Sequence, residues 1–177
     1  MLQQVGQRPY GPDPDVCQSR KIASLAAYWA GKRRGERLPR RADLAPEEIV
    51  PLLPYILLAD IEPEPLRIRY RLVGTAIAEG SRRDITGLHL DEIQFDYPGE
   101  REAFEAGYRL MLDTAAPVYG RMVWLASQEL PVLYESAIFP LLGESGDLEK
   151  AIAIEDYERP VNELAGRLPS RPARRDD

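Results

Sequence analysis

The stretch Leu66-Arg67-Ile68-Arg69-Tyr70-Arg71-Leu72-Val73 decides the fold. Apolar and basic residues alternate along it, the period of a strand with one buried and one wet face. Leu66, Ile68, Tyr70 and Leu72 point one way, and three arginines point the other. A wet face belongs to an antiparallel sheet, because parallel sheets are covered on both sides. Just upstream, Tyr55-Ile56-Leu57-Leu58-Ala59-Asp60-Ile61 is a second strand run, apolar on both faces. The short Glu62-Pro63-Glu64-Pro65 segment joins the two as a hairpin.

Working outward, three more strand runs follow at 118–125, 132–139 and 151–155, with hairpin loops at 127–131 and 143–149. Between the strand blocks, 75–80 reads as a short helix and 81–96 as polar and turn-rich. A longer helix starts near Pro98, carries Phe104, Tyr108, Met111 and Leu112 on one face, and ends at Ala115-Ala116-Pro117. Upstream of the hairpin, Ile22, Leu25, Ala26 and Trp29 fall at helical spacing behind Ser19, a suitable N-cap. Pro46, Glu47 and Glu48 suit the start of a short second helix, which Pro51 and Pro54 stop.

Strands at both ends with helices between them predict an α+β domain. The expected architecture is a five-stranded antiparallel sheet with helices mainly on one face, plus an N-terminal amphipathic helix. Each strand block is too small to stand alone, so the two must meet within the sheet. The organisation reads as an irregular leader (1–18), a helical extension (19–54), the sheet domain (55–158) and a disordered tail (159–177).

The chain has 177 residues, 44% of them apolar and 29% charged, the balance of an ordinary globular protein. Cys17 is the only cysteine, so no intramolecular disulfide forms. No run approaches the roughly 20 apolar residues of a membrane span, and the first fifteen residues lack the apolar core of a signal peptide. The expected location is cytoplasmic, without a membrane partner. A net charge of −6 and an isoelectric point near 5.0 argue against nucleic acid as a partner. The basic clusters Lys32-Arg33-Arg34 and Arg40-Arg41 read as solvated charge.

The order of elements from Tyr55 to Glu155 resembles that of a PAS domain. Leu52-Leu53-Pro54, Tyr70-Arg71-Leu72-Val73-Gly74-Thr75, Thr86-Gly87, and Glu135 with Pro140-Leu141 are similar to a divergent PAS-like family of short bacterial proteins. In that family a Trp-bearing N-terminal helix precedes a P-x-R-x-D motif. Trp29 and Pro39-Arg40-Arg41-Ala42-Asp43 look like that element, and the resemblance spans about residues 20–158. It implies a sensory or interaction module that binds a small ligand between sheet and helices, or a protein partner, or dimerises. A fold of this kind does not by itself fix a function.

Covalent flavin photosensing in the light-sensing PAS branch needs a cysteine in the short-helix region after the second strand. Residues 75–89 contain none, and Cys17 lies in the leader. Haem through His89, the only histidine, is disfavoured by its polar loop setting. No other His or Cys can complete a zinc site, so no metal is expected, and the cofactor is unknown. Phosphate-loop, dinucleotide and nucleophile-elbow motifs are absent, so no catalytic residue is expected. Glu135 stands in an otherwise apolar strand. Turned inward it would be a candidate acid, base or ligand anchor; turned outward it would pair with Arg69, Arg71 or Arg121. The outward pairing is favoured.

Parity places the candidate pocket at Tyr70, Leu72, Phe104, Tyr108, Met111, Met122, Trp124, Tyr134 and Ser136. The stripe Ile22, Leu25, Ala26 and Trp29 either caps its own sheet or docks on a second copy, and a homodimer is expected. The function expected is a sensory module binding a small ligand and/or a separate signalling protein, without catalysis. The alternatives are a dimerising adaptor with a filled core, and a small enzyme using Glu135 or Asp60 at the floor of a cavity.

Overall fold

In the computed structural model, residues 8–81, 83–95, 99–127 and 130–160 are described. The elements are β1 (Arg8–Gly11), α1 (Arg20–Gly31), β2 (Ile56–Pro63), β3 (Leu66–Val73), α2 (Thr75–Ser81), α3 (Glu100–Thr114), β4 (Val118–Ser127), β5 (Leu130–Leu142) and β6 (Leu148–Pro160). Short 3-10 turns at Pro46–Glu48 and Val50–Tyr55 lead into β2. Among the described residues no helix is long and apolar enough to cross a membrane.

The strands form one antiparallel sheet in the order β1-β4-β5-β6-β2-β3. The hairpin and the three-stranded meander meet at β2 and β6, with Ile56 opposite Ile154 and Ala59 opposite Ala151. The sheet has six strands, not five. The extra strand, β1, comes from the segment read as an irregular leader, and pairs Arg8 with Arg121 and Gly11 with Tyr119. Its proline and glycine content hides it from a sequence reading. An edge strand tolerates a proline because one side of its backbone needs no partner. Of the expected tail, 159–177, the first two residues belong to β6, which runs on to Pro160, and 161–177 lie outside the described residues.

Leu72, expected in the inner pocket, lies on the other face. Leu58 faces Leu72 but Ala59 faces Tyr70, so Arg71 is an extra residue in β3. This bulge reverses the alternation after Tyr70. Leu72 turns to the outer face and is 42% exposed, and Val73 packs against the inner core in its place.

Both faces of the sheet are covered. On the inner face, α2 and α3 close a core that includes Leu57, Ile68, Ile77, Phe104, Met111 and Ile138. On the outer face, α1 and the 3-10 turns close a second core around Leu52, Ile56, Phe139, Leu141 and Ile154. Helix α1 starts where the sequence predicts: the Ser19 hydroxyl accepts from the Ile22 amide at 3.3 Å. Ile22, Leu25 and Trp29 are buried on their own chain's sheet, and Ala26 is half-buried beside them. The Trp29 indole donates to the Pro140 carbonyl at 2.9 Å and packs 5.9 Å from the Phe139 ring.

Gly74 fixes the junction between the outer cover and the hairpin. A Cβ there would lie 2.2 Å from the Pro54 carbonyl oxygen, and its amide donates to Ile56 O at 2.8 Å.

Trp29→Ala removes a buried ring and leaves the Pro140 carbonyl without its donor. We expect a loss of roughly 3–5 kcal/mol of stability, read as a lower urea midpoint. Gly74→Ala is expected to destabilise as well, because backbone must move to admit the methyl group. An unchanged midpoint for either variant would contradict this packing.

Candidate functional site

Strand parity assembles an unusual set of polar groups on the inner face. In β5, Tyr134, Ser136 and Ile138 face inward; in β6, Ala151, Ala153 and Glu155 do. Ser136 and Glu155 are direct cross-strand partners. This places a carboxyl group, 7% exposed, under the helical cover. Five tyrosines from five elements surround it: Tyr10 (β1), Tyr70 (β3), Tyr108 (α3), Tyr134 (β5) and Tyr157 (β6).

The Tyr157 hydroxyl donates to Glu155 Oε2 in a short hydrogen bond. Tyr10 donates to Ser136 Oγ at 2.8 Å, and Tyr134 donates to the Met122 sulfur at 3.5 Å. The Tyr70 and Tyr108 rings meet edge-to-face at 6.5 Å. Tyr134 and Tyr157 stack at 5.1 Å. Among the described residues no Lys, Arg or His forms an ion pair with Glu155. Burial therefore dominates and pushes its pKa up to about 7, against the opposing hydrogen bond from Tyr157. Burial also raises all five phenols, and the Glu155 carboxylate adds to that rise.

Tyr10 reaches this cluster from the edge strand through a slot made by small residues. A Cβ on Gly107 of α3 would lie 2.5 Å from its ring, and one on Gly120 of β4 would lie 3.0 Å away. Ser136 forms the end of the slot and binds the hydroxyl. Only glycine at both flanking positions leaves room for a phenol ring between helix and sheet.

The other face uses its carboxylate differently. Glu135 points outward, as favoured from sequence, and sits opposite Arg121 with Nε and Oε1 3.9 Å apart. It is nonetheless buried, because the chain entering α1 crosses it. Its Oε2 accepts from the Gln18 and Ser19 amides, each at 2.7 Å. Next to it, Asp156 accepts from the Ser19 hydroxyl at 2.5 Å and pairs with Lys21 at 3.3 Å. Cys17 is not remote from a core: it packs on the outer cluster with its sulfur 3.5 Å from the Gly120 carbonyl. Burial, then Glu135, pushes its thiol up to about 12, so it stays protonated and weakly nucleophilic.

Of the pocket residues read from sequence, Tyr70, Phe104, Tyr108, Met111, Met122 and Tyr134 come together in the inner core, and Ser136 is buried on the same face. Leu72 does not join them, and the Trp124 side chain lies outside the described residues. Sequence reasoning missed Tyr10, Glu155 and Tyr157. The one available signal was the Ala151-Ala153-Glu155 parity, in which small residues alternate with isoleucines and end in a carboxyl group. His89 caps the turn Leu90–Glu92, with Nδ1 3.1 Å from Glu92. Asp60 is partly exposed and bound to Lys150 at 2.6 Å, away from this cluster. Among the described residues no group of His, Cys, Asp and Glu could hold a metal ion.

Comparison with known proteins agrees with this architecture. The sequence matches the PAS domain family over residues 17–154, and the chain belongs to that family. Among solved structures, it is similar to a fungal LOV domain photoreceptor, at 14% identity and a TM-score of 0.47, over 82% of this chain and 94% of that one. It is also similar to an RNA-binding light-oxygen-voltage receptor, at 16% identity and a TM-score of 0.45, over 73% of this chain and 37% of that one. No curated protein matches the chain.

The raised Glu155 value has a stability consequence. The folded state holds this proton up to about pH 7, whereas the unfolded state releases it near the ordinary value of 4.5. Stability therefore falls as pH rises between those values, by on the order of 3 kcal/mol across the window. Glu155→Gln should flatten that part of a plot of urea midpoint against pH. A variant that keeps the wild-type slope would mean that the carboxyl group is not buried as described.

Proposed function

We propose that this PAS domain is a sensory module that takes a small ligand on the inner face of its sheet and reports occupancy to a separate signalling protein. The observation that carries the reading is the buried Glu155, held by one tyrosine hydroxyl and walled by four further tyrosines. A buried acid that no cation among the described residues neutralises carries a cost in a purely structural core. A ligand offering a donor would offset it. Tyr10 supports the same reading, because a phenol from the chain's own edge strand already fills a slot lined by Gly107, Gly120 and Ser136. A planar ligand with a hydroxyl or amino group could take that place and release β1.

The module acts by binding, without catalysis. Its inner polar groups are hydroxyls and one acid, Cys17 is protonated and on the other face, and Glu135 is engaged by backbone amides. The working location is cytoplasmic. A second reading is a partner-binding adaptor with a filled core, favoured by the tyrosine rings that already pack pairwise. In that reading α1 exchanges between two copies, and Ile22, Leu25, Ala26 and Trp29 seat on the partner's sheet. Light scattering at high concentration would then give twice the 20.0 kDa chain mass.

Native mass spectrometry of the purified protein, with its absorption spectrum, separates the two. Sensing predicts a retained small molecule that is lost from Glu155→Leu and taken up more readily by Tyr10→Ala. A bare, colourless chain in the wild type and in Tyr10→Ala alike would reject sensing in favour of the adaptor.

A further inference from the structure

We propose a second binding site, on the outer face of the sheet, for a free single-chain amphiphile with an anionic head, such as a medium-chain carboxylate. A cleft of about 430 Å³ lies where the 3-10 turns of the N-terminal extension meet β2 and β3. This volume is within the range of small-molecule sites. Leu44, Ile49 and Leu53 form one wall, and Leu58, Leu72 and Ile152 form the other. Arg41 is the only charged residue that lines it.

Two features mark the cleft as more than a packing seam. First, Val50 and Leu72, which both line it, are 58% and 42% exposed, and only Leu88 joins them as a large exposed apolar residue among those described. Single exposed apolar residues are ordinary, but two facing one concavity form a patch. Leu72 is there because of the bulge at Arg71; regular alternation would bury it on the inner face. Second, the cleft adjoins a charged depression of about 460 Å³, with which it shares Arg41, Leu58 and Leu72. That depression adds Asp60, Arg71 and Lys150. Asp60 neutralises one cation, binding Lys150 at 2.6 Å with Arg71 at 3.6 Å. Arg41 forms no ion pair among the described residues. The mouth therefore carries excess positive charge on a chain of net charge −6.

An apolar slot with an unneutralised arginine where it adjoins the charged depression complements an alkyl chain that ends in an anion. Arg41, with Arg71 behind it, would take the head group as a charge-assisted hydrogen-bond partner. The walls would take the chain by burial of apolar surface. A bounded cleft fits a single free molecule better than a bilayer, which would meet a broad flat face. The site lies across the sheet from Glu155 and stands whether or not the inner pocket binds a ligand.

Methyl-resolved NMR of the full chain tests this, with sodium dodecanoate, dodecan-1-ol and dodecyltrimethylammonium titrated below their micellar concentrations. The expected result is saturable shifts at Val50, Leu58 and Leu72, with dodecanoate binding roughly tenfold tighter than the cationic probe. Arg41→Gln should remove that preference but keep alcohol binding. Leu72→Asp should abolish binding while leaving the Met111 and Met122 methyl signals in place; Val50→Asp, at a more exposed position, serves if that variant does not fold. Several outcomes would overturn the proposal: equal affinity for the three head groups, shifts confined to Met111 and Met122, or flotation with anionic vesicles without binding of free dodecanoate. Concentration-dependent shifts at the same three residues without any amphiphile would also overturn it, since a second copy would then be the occupant.

Discussion

The structure depends on how Glu135 holds the chain that enters α1. Its carboxylate accepts the amides of Gln18 and of the N-cap Ser19, on the segment that leads into the helix. The tie satisfies one carboxylate oxygen, Oε2, while Oε1 faces the Arg121 guanidinium at 3.9 Å. With this segment held, α1 lies along the outer face and its apolar stripe completes the second core. The chain before it is directed back past β4, where it adds an edge strand and delivers Tyr10 to the opposite side of the sheet. One polar contact thus sets the position of both N-terminal elements.

The two faces are built on different chemistry. The outer face is filled by aliphatic residues and a few rings, and its polar groups serve as anchors for α1. The inner face carries five phenols and an acid, groups that pack as hydrophobes yet need hydrogen-bond partners when buried. Neutral Glu155 is compatible with that environment; ionised Glu155 is not, and this is why burial raises its pKa.

Much of the fold was legible because a strand buried on one face has a strict period. Leu66 to Tyr70, Val118 to Met122 and Tyr134 to Ile138 each declared their inner residues by alternation, and Ser19 declared the start of α1 by its capping chemistry. The failures also have physical causes. A bulge changes parity without any change in composition, so Leu72 was assigned to the wrong face. Pro9 and Gly11 disguise an edge strand, because the pairing that allows them is tertiary. Glu155 was hidden at the end of a short strand run, since its inward direction depends on β6 continuing beyond it to Pro160. Whether α1 packs in its own chain depends on chain geometry around Glu135, which no local pattern encodes.

The inner cluster and the anchor of α1 are built on two adjacent cross-strand pairs of β5 and β6. Ser136 and Glu155 are cross-strand partners facing inward, and Glu135 and Asp156 are the adjacent pair facing outward. Successive strand residues project to opposite faces from one continuous backbone. A shift of β5 against β6 that reorients Ser136 and Glu155 must therefore reorient the groups that hold Gln18, Ser19 and Lys21. Tyr10 reinforces the link, because it joins Ser136 to the same N-terminal segment that Glu135 ties down. A ligand that bound equally well with and without Tyr10 in its slot would move nothing. The slot formed by Gly107 and Gly120 makes that equality hard to achieve, since ligand and phenol would compete for one space. In the proposed reading, occupancy of the inner face and the hold on α1 would be alternative uses of a single strand pair.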